Sequence, residues 1–265
     1  MSEFMDIITS DNLSYKQKVL HLAQAAENSE HPIKTTAEFD RLFAAHALDD
    51  MCEGNAPYRP RYICPDYQVF AQNGSEFLRF DKPETLDDLL WGLAALYDNV
   101  PSVTSRPVYV GQLDKIIDPF LEGMTDAEIK PRLRRFLNHI DRTVASGYCH
   151  ANIGPEDTRA GRLLLEVDRE LMNAVPNFTL KYDPEVTSDE FMRLAVKTTM
   201  VCSNPAFANH RIHKETYPGE YTVVSCYNVL PMGGGAYTLS RVLLPGLAKL
   251  ATNVDDFMNN LLPTA

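Results

Sequence analysis

Three short runs rich in β-branched and aromatic residues alternate with stretches of helical periodicity in the second half of this chain. The runs are GYCHANIG at 147–154, NFTLKYD at 177–183 and YTVVSC at 221–226, and the helical stretches fall at about 158–174, 188–201 and 236–251. That alternation leaves few architectures. Strands joined by crossover helices pair in parallel, and a parallel sheet needs helices over its faces. An α/β fold with substantial parallel pairing is therefore expected, and the pattern is compatible with both an open sheet and a barrel.

The first hundred residues read mainly as helix and loop. Residues 14–28 place Val19, Leu22, Ala23 and Ala26 on one face behind Ser14 as N-cap, and a second helix is expected over about 35–52. The segment APYRPRYICPDY carries three prolines and reads as an ordered but irregular crossing. Residues 85–98 start with a threonine cap and acids in the first turn, and GQLDKIIDPFLEG at 111–123 is again helical. Thr125 and Glu128 have capping-box spacing, while Pro131 sits too deep for a straight helix, so a break or restart is expected there. No linker or repeat divides the chain. It reads as one unit over 1–265, mainly helical over 1–100 and alternating strand with helix from 101.

Charge narrows the function classes. With 25 basic against 36 acidic residues the formal net charge is −11, a surface that repels phosphate backbones and anionic membranes. The basic residues of 130–142 alternate with apolar ones at helical spacing, which is the pattern of a solvated polar face. The apolar runs 89–96 and 242–250 are broken by glycine or proline and fall short of a membrane span. The N-terminus lacks a basic region followed by an apolar core, so no signal peptide is expected and a cytoplasmic location follows. The five cysteines, at 52, 64, 149, 202 and 226, form no CxxC pair. Neither disulfides nor a zinc site is expected, and each cysteine reads first as a small buried apolar residue. His210 and His213 stand three apart without an evident third ligand, so no metal is expected.

The most distinctive segment is YTVVSCYNVLPMGGGAYTLSRVLLPGL at 221–247, in which a β-run ends at Ser225-Cys226 and Gly233, Gly234 and Gly235 precede a helix expected to start near Tyr237. Three readings are open for it. A phosphate cradle would use the loop N–H groups and a helix N-terminus, but neither a GK[ST] ending nor a GxGxxG pattern is present. A structural turn needs nothing more than the glycines. A radical cysteine at a loop tip needs no base, because a thiyl is neutral, and gains from a dry site, which Val223, Val224, Val229 and Leu230 suit. Among other polar residues, His150, Asn152 and Asn209 stand at strand ends, where side chains serve either a pocket or the local backbone. Arg106 offers a fork of donors to an anionic substrate group, or alternatively packs on Tyr109 or pairs with an acid.

The block order VPNFTLKYDPEVTSDEFMRLAVKT, SNPAFAN, VVSCYN and a glycine-rich loop resembles that of glycyl radical enzymes. EGNAPYRPRY, VPSVTSRPVYVGQLD, HANIGPEDTRAGR and SCYNVLPMGGGAYTLSR are similar to the YjjI-type branch in particular, and the likeness runs from about residue 48 to the C-terminus. The resemblance implies N-terminal helices plus the first half of a ten-stranded α/β barrel, with the cysteine loop threading its centre. It implies Cys226 as the thiyl-radical site, with Ser225, Tyr227, Asn228, Gly233, Gly234 and Gly235 shaping the loop. It further implies anaerobic chemistry on a small-molecule substrate, a homodimer, and a radical-SAM activase that uses SAM and an iron–sulfur cluster to generate the glycyl radical, with no cofactor bound by this chain. Two departures stand out. No RVxGY-like radical-glycine segment is present, so a complementing C-terminal half is expected if the chain is an enzyme, and a non-catalytic remnant or binding partner is the alternative. Asn228 occupies the position where many such enzymes carry a glutamate base, and an amide cannot abstract a proton. A single cysteine at the loop also argues against a two-cysteine relay.

Overall fold

The computed structural model describes residues 3–28, 34–50, 62–99, 109–143, 149–224, 228–236 and 240–264. The chain opens with helices α1 (Glu3–Thr9), α2 (Tyr15–Glu27) and α3 (Ala37–Ala44). Ser14 caps α2 through a reciprocal bond with Gln17, which locates the start of this helix where the sequence puts it. The second helix is much shorter than the expected 35–52. Ala45 closes α3, His46 turns into left-handed backbone at φ 53°, and strand β1 (Leu48–Asp50) follows. Ala47 and Leu48 are buried with Leu42 and Leu247, so a non-local partner takes these residues out of the helix.

Strand β2 (Tyr62–Ile63) leads to α4 (Tyr67–Asn73) and α5 (Leu86–Asn99), the latter capped by reciprocal bonds between Thr85 and Asp88. Next come β3 (Tyr109–Val110), α6 (Leu113–Ile117) with a 3-10 turn, and α7 (Asp126–Thr143). The break expected at Pro131 does not occur, and α7 runs through it. A proline inside a helix costs about 3 kcal/mol. The buried stripe of Ile129, Leu133, Phe136, Leu137 and Ile140 outweighs that cost, at about 1.5–3 kcal/mol for each fully buried side chain.

The remaining elements alternate: β4 (His150–Ile153), α8 (Arg159–Leu171), β5 (Asn177–Tyr182), α9 (Asp189–Cys202), β6 (Ala206–Asn209) and α10 (His210–Thr216). Strands β3, β4, β5 and β6 form one parallel sheet in that order, with Asn152 opposite Thr179 and Lys181 opposite Ala208. This is the α/β architecture with parallel pairing read from the alternation. One face, carrying Val110, Ala151, Ile153, Phe178 and Leu180, packs under α5, α7, α8 and α9 as the main core. The opposite face carries Tyr109, His150, Asn152, Thr179, Lys181 and Ala208, all buried.

That second face is covered by an antiparallel hairpin of β7 (Tyr221–Val223) and β8 (Val229–Pro231). The helix expected over 236–251 is replaced by two short strands, β9 (Gly235–Ala236) and β10 (Ser240–Val242), followed by α11 (Leu244–Leu250). β9 pairs with β2 and β10 with β1, so backbone partners from the first 65 residues hold this stretch extended. Helical turns from 254 to 264 close the chain. Among the described residues no helix is long and apolar enough to cross a membrane.

Candidate active site around the cysteine hairpin

Tyr221, Thr222 and Val223 pair with Pro231, Leu230 and Val229, and Val224 N–H donates to the Asn228 carbonyl at 2.9 Å. Residues 225–227, with Ser225, Cys226 and Tyr227, lie outside the described residues, as does Arg106. The two strands flanking Cys226 are nevertheless fixed in detail. Tyr221 and Val223 pack on Ala208 of the sheet, while Val224 packs with Tyr109 and Cys64.

Polar side chains of the sheet engage the backbone of β7. Asn152 accepts from Val223 N–H at 2.7 Å and donates from Nδ2 to the Val223 carbonyl at 3.0 Å. Lys181 Nζ donates to the Tyr221 carbonyl at 2.6 Å and stands 4.3 Å from the centre of the Tyr221 ring. Burial pushes the Lys181 ammonium down to about 7, against a smaller upward pull from Glu220. The Tyr221 hydroxyl pairs with His210 Nδ1 at 2.6 Å.

The glycine loop is docked rather than free. Gly233 N–H donates to the Cys64 carbonyl at 2.7 Å and Cys64 N–H donates to Gly234 at 2.8 Å, extending the ladder of β2 with β9. Gly233 takes φ 78°, the left-handed region that favours glycine, and Gly235 begins β9. Gln112 is bonded to Glu220 beside the hairpin and accepts from Gln68 at 2.7 Å. Asn228 is exposed, and its carbonyl closes the described part of the stem.

His150 lies on the same face as Asn152, its ring 5.1 Å from that of Tyr109. Its carbonyl accepts from the Tyr97 hydroxyl at 3.1 Å. Nε2 is buried and has no hydrogen-bond partner among the described residues. Burial lowers the imidazole to about 4, so it is neutral at physiological pH. Asn209 is placed differently: it is exposed, and its side chain caps α10 by accepting from Ile212 N–H at 3.3 Å. Burial raises the Cys64 and Cys149 thiols to about 12, which keeps them protonated.

Away from this face, the basic residues of α7 meet acids. Lys130, Arg132, Arg134 and His139 pair with Glu166, Asp87, Glu170 and Asp98 on α8 and α5, so this polar face is largely neutralised. Among the described residues no group of three or more His, Cys, Asp or Glu side chains converges as a metal site.

Sequence reasoning missed Lys181, Gln112 and Cys64. Lys181 had a legible signal: a strand buried on both faces of a parallel sheet has no solvent for a lysine, so NFTLKY carries an anomaly at its fifth position. The roles of Gln112 and Cys64 depend on pairing with residues more than 100 positions away, which no local pattern reveals.

Residues 13–265 match the family described as "Glycyl radical enzyme YjjI-like". A Haemophilus influenzae protein is 44% identical over 266 residues, covering 99% of this chain and 51% of that protein. The Escherichia coli protein YjjI is 44% identical over 258 residues, covering 97% of this chain and 50% of its own length. The chain thus spans about half the length of these relatives. Among solved structures, the anaerobic ribonucleotide reductase of Thermotoga maritima, with citrate in its active site, superposes with a TM-score of 0.59 at 13% identity. That match takes in 83% of this chain and 48% of the reductase, and it is a likeness of fold alone.

Proposed function

The chain belongs to the YjjI-like family of glycyl radical enzymes, and from that premise we propose that Cys226 is its thiyl-radical site, acting by hydrogen abstraction on a small organic substrate. The observation that carries this reading is the seating of the strands on either side of Cys226. They form a stem seated on the buried polar face of a parallel sheet; Val223 and Val224 on the β7 side are buried, whereas Val229 and Leu230 on the β8 side are half-buried and Asn228 is exposed. A thiyl radical is uncharged, so a dry surround serves it where a thiolate would need a cation or a base.

In the proposed sequence a glycyl radical takes the hydrogen atom of the Cys226 thiol, breaking S–H and forming Cα–H. The thiyl sulfur then takes a hydrogen atom from a substrate carbon and restores S–H. The chain contributes the first half of a barrel around this site, with Ser225, Tyr227, Asn228 and the three glycines shaping the loop. The radical glycine is assigned to the rest of a protein of the relatives' length, and a cytoplasmic radical-SAM activase, with its own SAM and iron–sulfur cluster, installs the radical under anaerobic conditions. His150 is the described side chain best suited to touch substrate, since its buried Nε2 has no hydrogen-bond partner among the described residues. Arg106 would bind an anionic substrate group. Asn228 supplies no base, so the reading favours hydrogen abstraction without proton removal at that position.

Anaerobic co-production of this chain with the remaining half and an activase, read by EPR, tests the proposal. A glycyl radical gives a doublet from its single α-hydrogen. In D2O the Cys226 thiol becomes S–D and passes deuterium to the glycine; the thiyl sulfur then takes the protium back, leaving S–H and a glycyl radical that carries deuterium, so the doublet is expected to collapse to a singlet. Cys226→Ala should keep the radical and hold the doublet. Collapse at the parental rate without Cys226, or no radical where an intact relative yields one, would overturn the reading.

A further inference from the structure

In an antiparallel ladder, residues alternate between pairs that exchange hydrogen bonds and pairs that do not. Val224 donates to Asn228 across the stem, so Thr222 is the next residue bonded to β8, and the backbone groups of Tyr221 and Val223 turn away from it. Those outward groups would need a further strand or water, and the site is closed to both: Tyr221 is 1% exposed and Val223 0%. Two side chains stand in for the missing strand. The Asn152 amide reproduces a peptide's donor and acceptor at Val223, and Lys181 reaches the Tyr221 carbonyl.

Resting on the thiyl-radical reading above, we propose that Asn152 and Lys181 are positioning residues that set the advance and tilt of the cysteine hairpin. They sit on adjacent strands of the parallel sheet, Asn152 opposite Thr179 and Lys181 two residues further along β5. Their contacts fall on alternate residues of β7, so the hairpin is held at two points along its length. A slide of β7 by one residue would break all three hydrogen bonds together. Neither side chain belongs to the main hydrophobic core, which lies on the other face of the sheet. A bidentate amide and a buried amine are costly choices where an apolar pair would fill the space, and their gain is directional. Hydrogen transfer between carbon and sulfur depends steeply on that direction, and a misplacement of ~1 Å costs about 100-fold in rate.

The test uses Asn152→Ala and Lys181→Met, with Lys181→Gln as the conservative variant that keeps an N–H donor for the Tyr221 carbonyl. In this chain, hydrogen exchange at Val223 and alkylation of Cys226 by iodoacetamide are each expected to rise at least about tenfold in Asn152→Ala, and the melting temperature to fall because the buried Val223 N–H and carbonyl lose their partner. Lys181→Met should raise the alkylation rate similarly, and Lys181→Gln should fall between it and the parent. If Asn152→Ala fails to fold, Asn152→Asp carries the comparison, because it accepts from Val223 N–H but cannot donate to the Val223 carbonyl. In the radical-bearing assembly the same variants should leave the radical yield unchanged and slow the collapse of the doublet in D2O at least about tenfold. Parental exchange and alkylation rates in both variants would overturn the proposal, as would faster exchange with a parental rate of collapse. If the parent doublet does not collapse at all, the thiyl reading fails instead, and exchange and alkylation still decide whether the seat exists.

Discussion

A lysine ammonium taken out of water loses hydration that one carbonyl and one ring face restore only in part, and Lys181 is in that position. The consequence is measurable as a pH dependence. The lysine titrates near its ordinary 10.5 in the unfolded chain and at about 7 when folded, because of burial. Between those values the unfolded chain holds a proton that the folded one does not, so stability is highest above 10.5 and falls as pH drops towards 7. Each unit is worth about 1.4 kcal/mol. Chemical denaturation at pH 7 and 9 should therefore show the parent gaining about 2–3 kcal/mol more than Lys181→Met over that interval. Equal gains in the two proteins would mean that the amine is solvated. At this scale the sequence was informative where a residue's partner is its neighbour along the strand or helix. His150 and Asn152, two apart on β4, fall on one face as strand periodicity requires. The capping role of Asn209 was equally open to reading, since an asparagine directly before a helix is a common N-cap. What Asn152 binds was not legible, because Val223 lies 71 residues away.

Elements followed the same division. α2 and α5 begin at the caps read from the sequence, Ser14 and Thr85, α8 and α9 begin within a residue of their expected starts, and β4, β5 and β7 lie within the runs of β-branched and aromatic residues. The differences gather where distant segments meet: the shortened α3, and the strands β9 and β10 in place of a helix start. Gly246 marks that junction. It lies in the first turn of α11 with no room for a side chain, since a Cβ there would stand 1.9 Å from the His46 carbonyl oxygen. Alanine is preferred to glycine inside a helix by about 1 kcal/mol, so an isolated α11 would gain from the exchange. In the folded chain the clash is with backbone and cannot be relieved by rotating a side chain. Gly246→Ala is therefore expected to destabilise the protein by about 2 kcal/mol or more, with the loss read as a lower denaturation midpoint. The damage should centre on the small cluster of Leu42, Ala47, Leu48 and Leu247, so exchange protection in α3 and α11 should fall before that of the main core. A neutral or stabilising effect would show that α11 does not dock against His46.

For the whole molecule, the parallel sheet presents a problem that its own residues leave open. Parallel sheets occur with both faces covered, and here helices cover one and the cysteine hairpin the other. The edges are another matter. Among the described residues β3 and β6 are each paired on one side only, by β4 and β5. β6 has the sequence AFAN, with no lysine or proline to discourage pairing with another chain. The net charge of −11 opposes association at long range, but at 0.15 M salt that repulsion is screened within about 8 Å and does little against an edge-to-edge contact. This chain by itself is accordingly expected to self-associate at micromolar concentration, measured by light scattering coupled to size exclusion. Introducing a charge on the edge, as in Ala206→Lys, should shift it towards monomer. Co-production with the remaining half should do the same by another route, replacing like-with-like contacts by one defined complex in which β6 becomes protected from exchange. A monodisperse chain that ignores both the edge charge and the added half would mean that the edge is already satisfied within the chain. The proposed half-barrel would then lack a docking edge at β6, and the radical glycine would have to reach the cysteine hairpin from another side of the sheet.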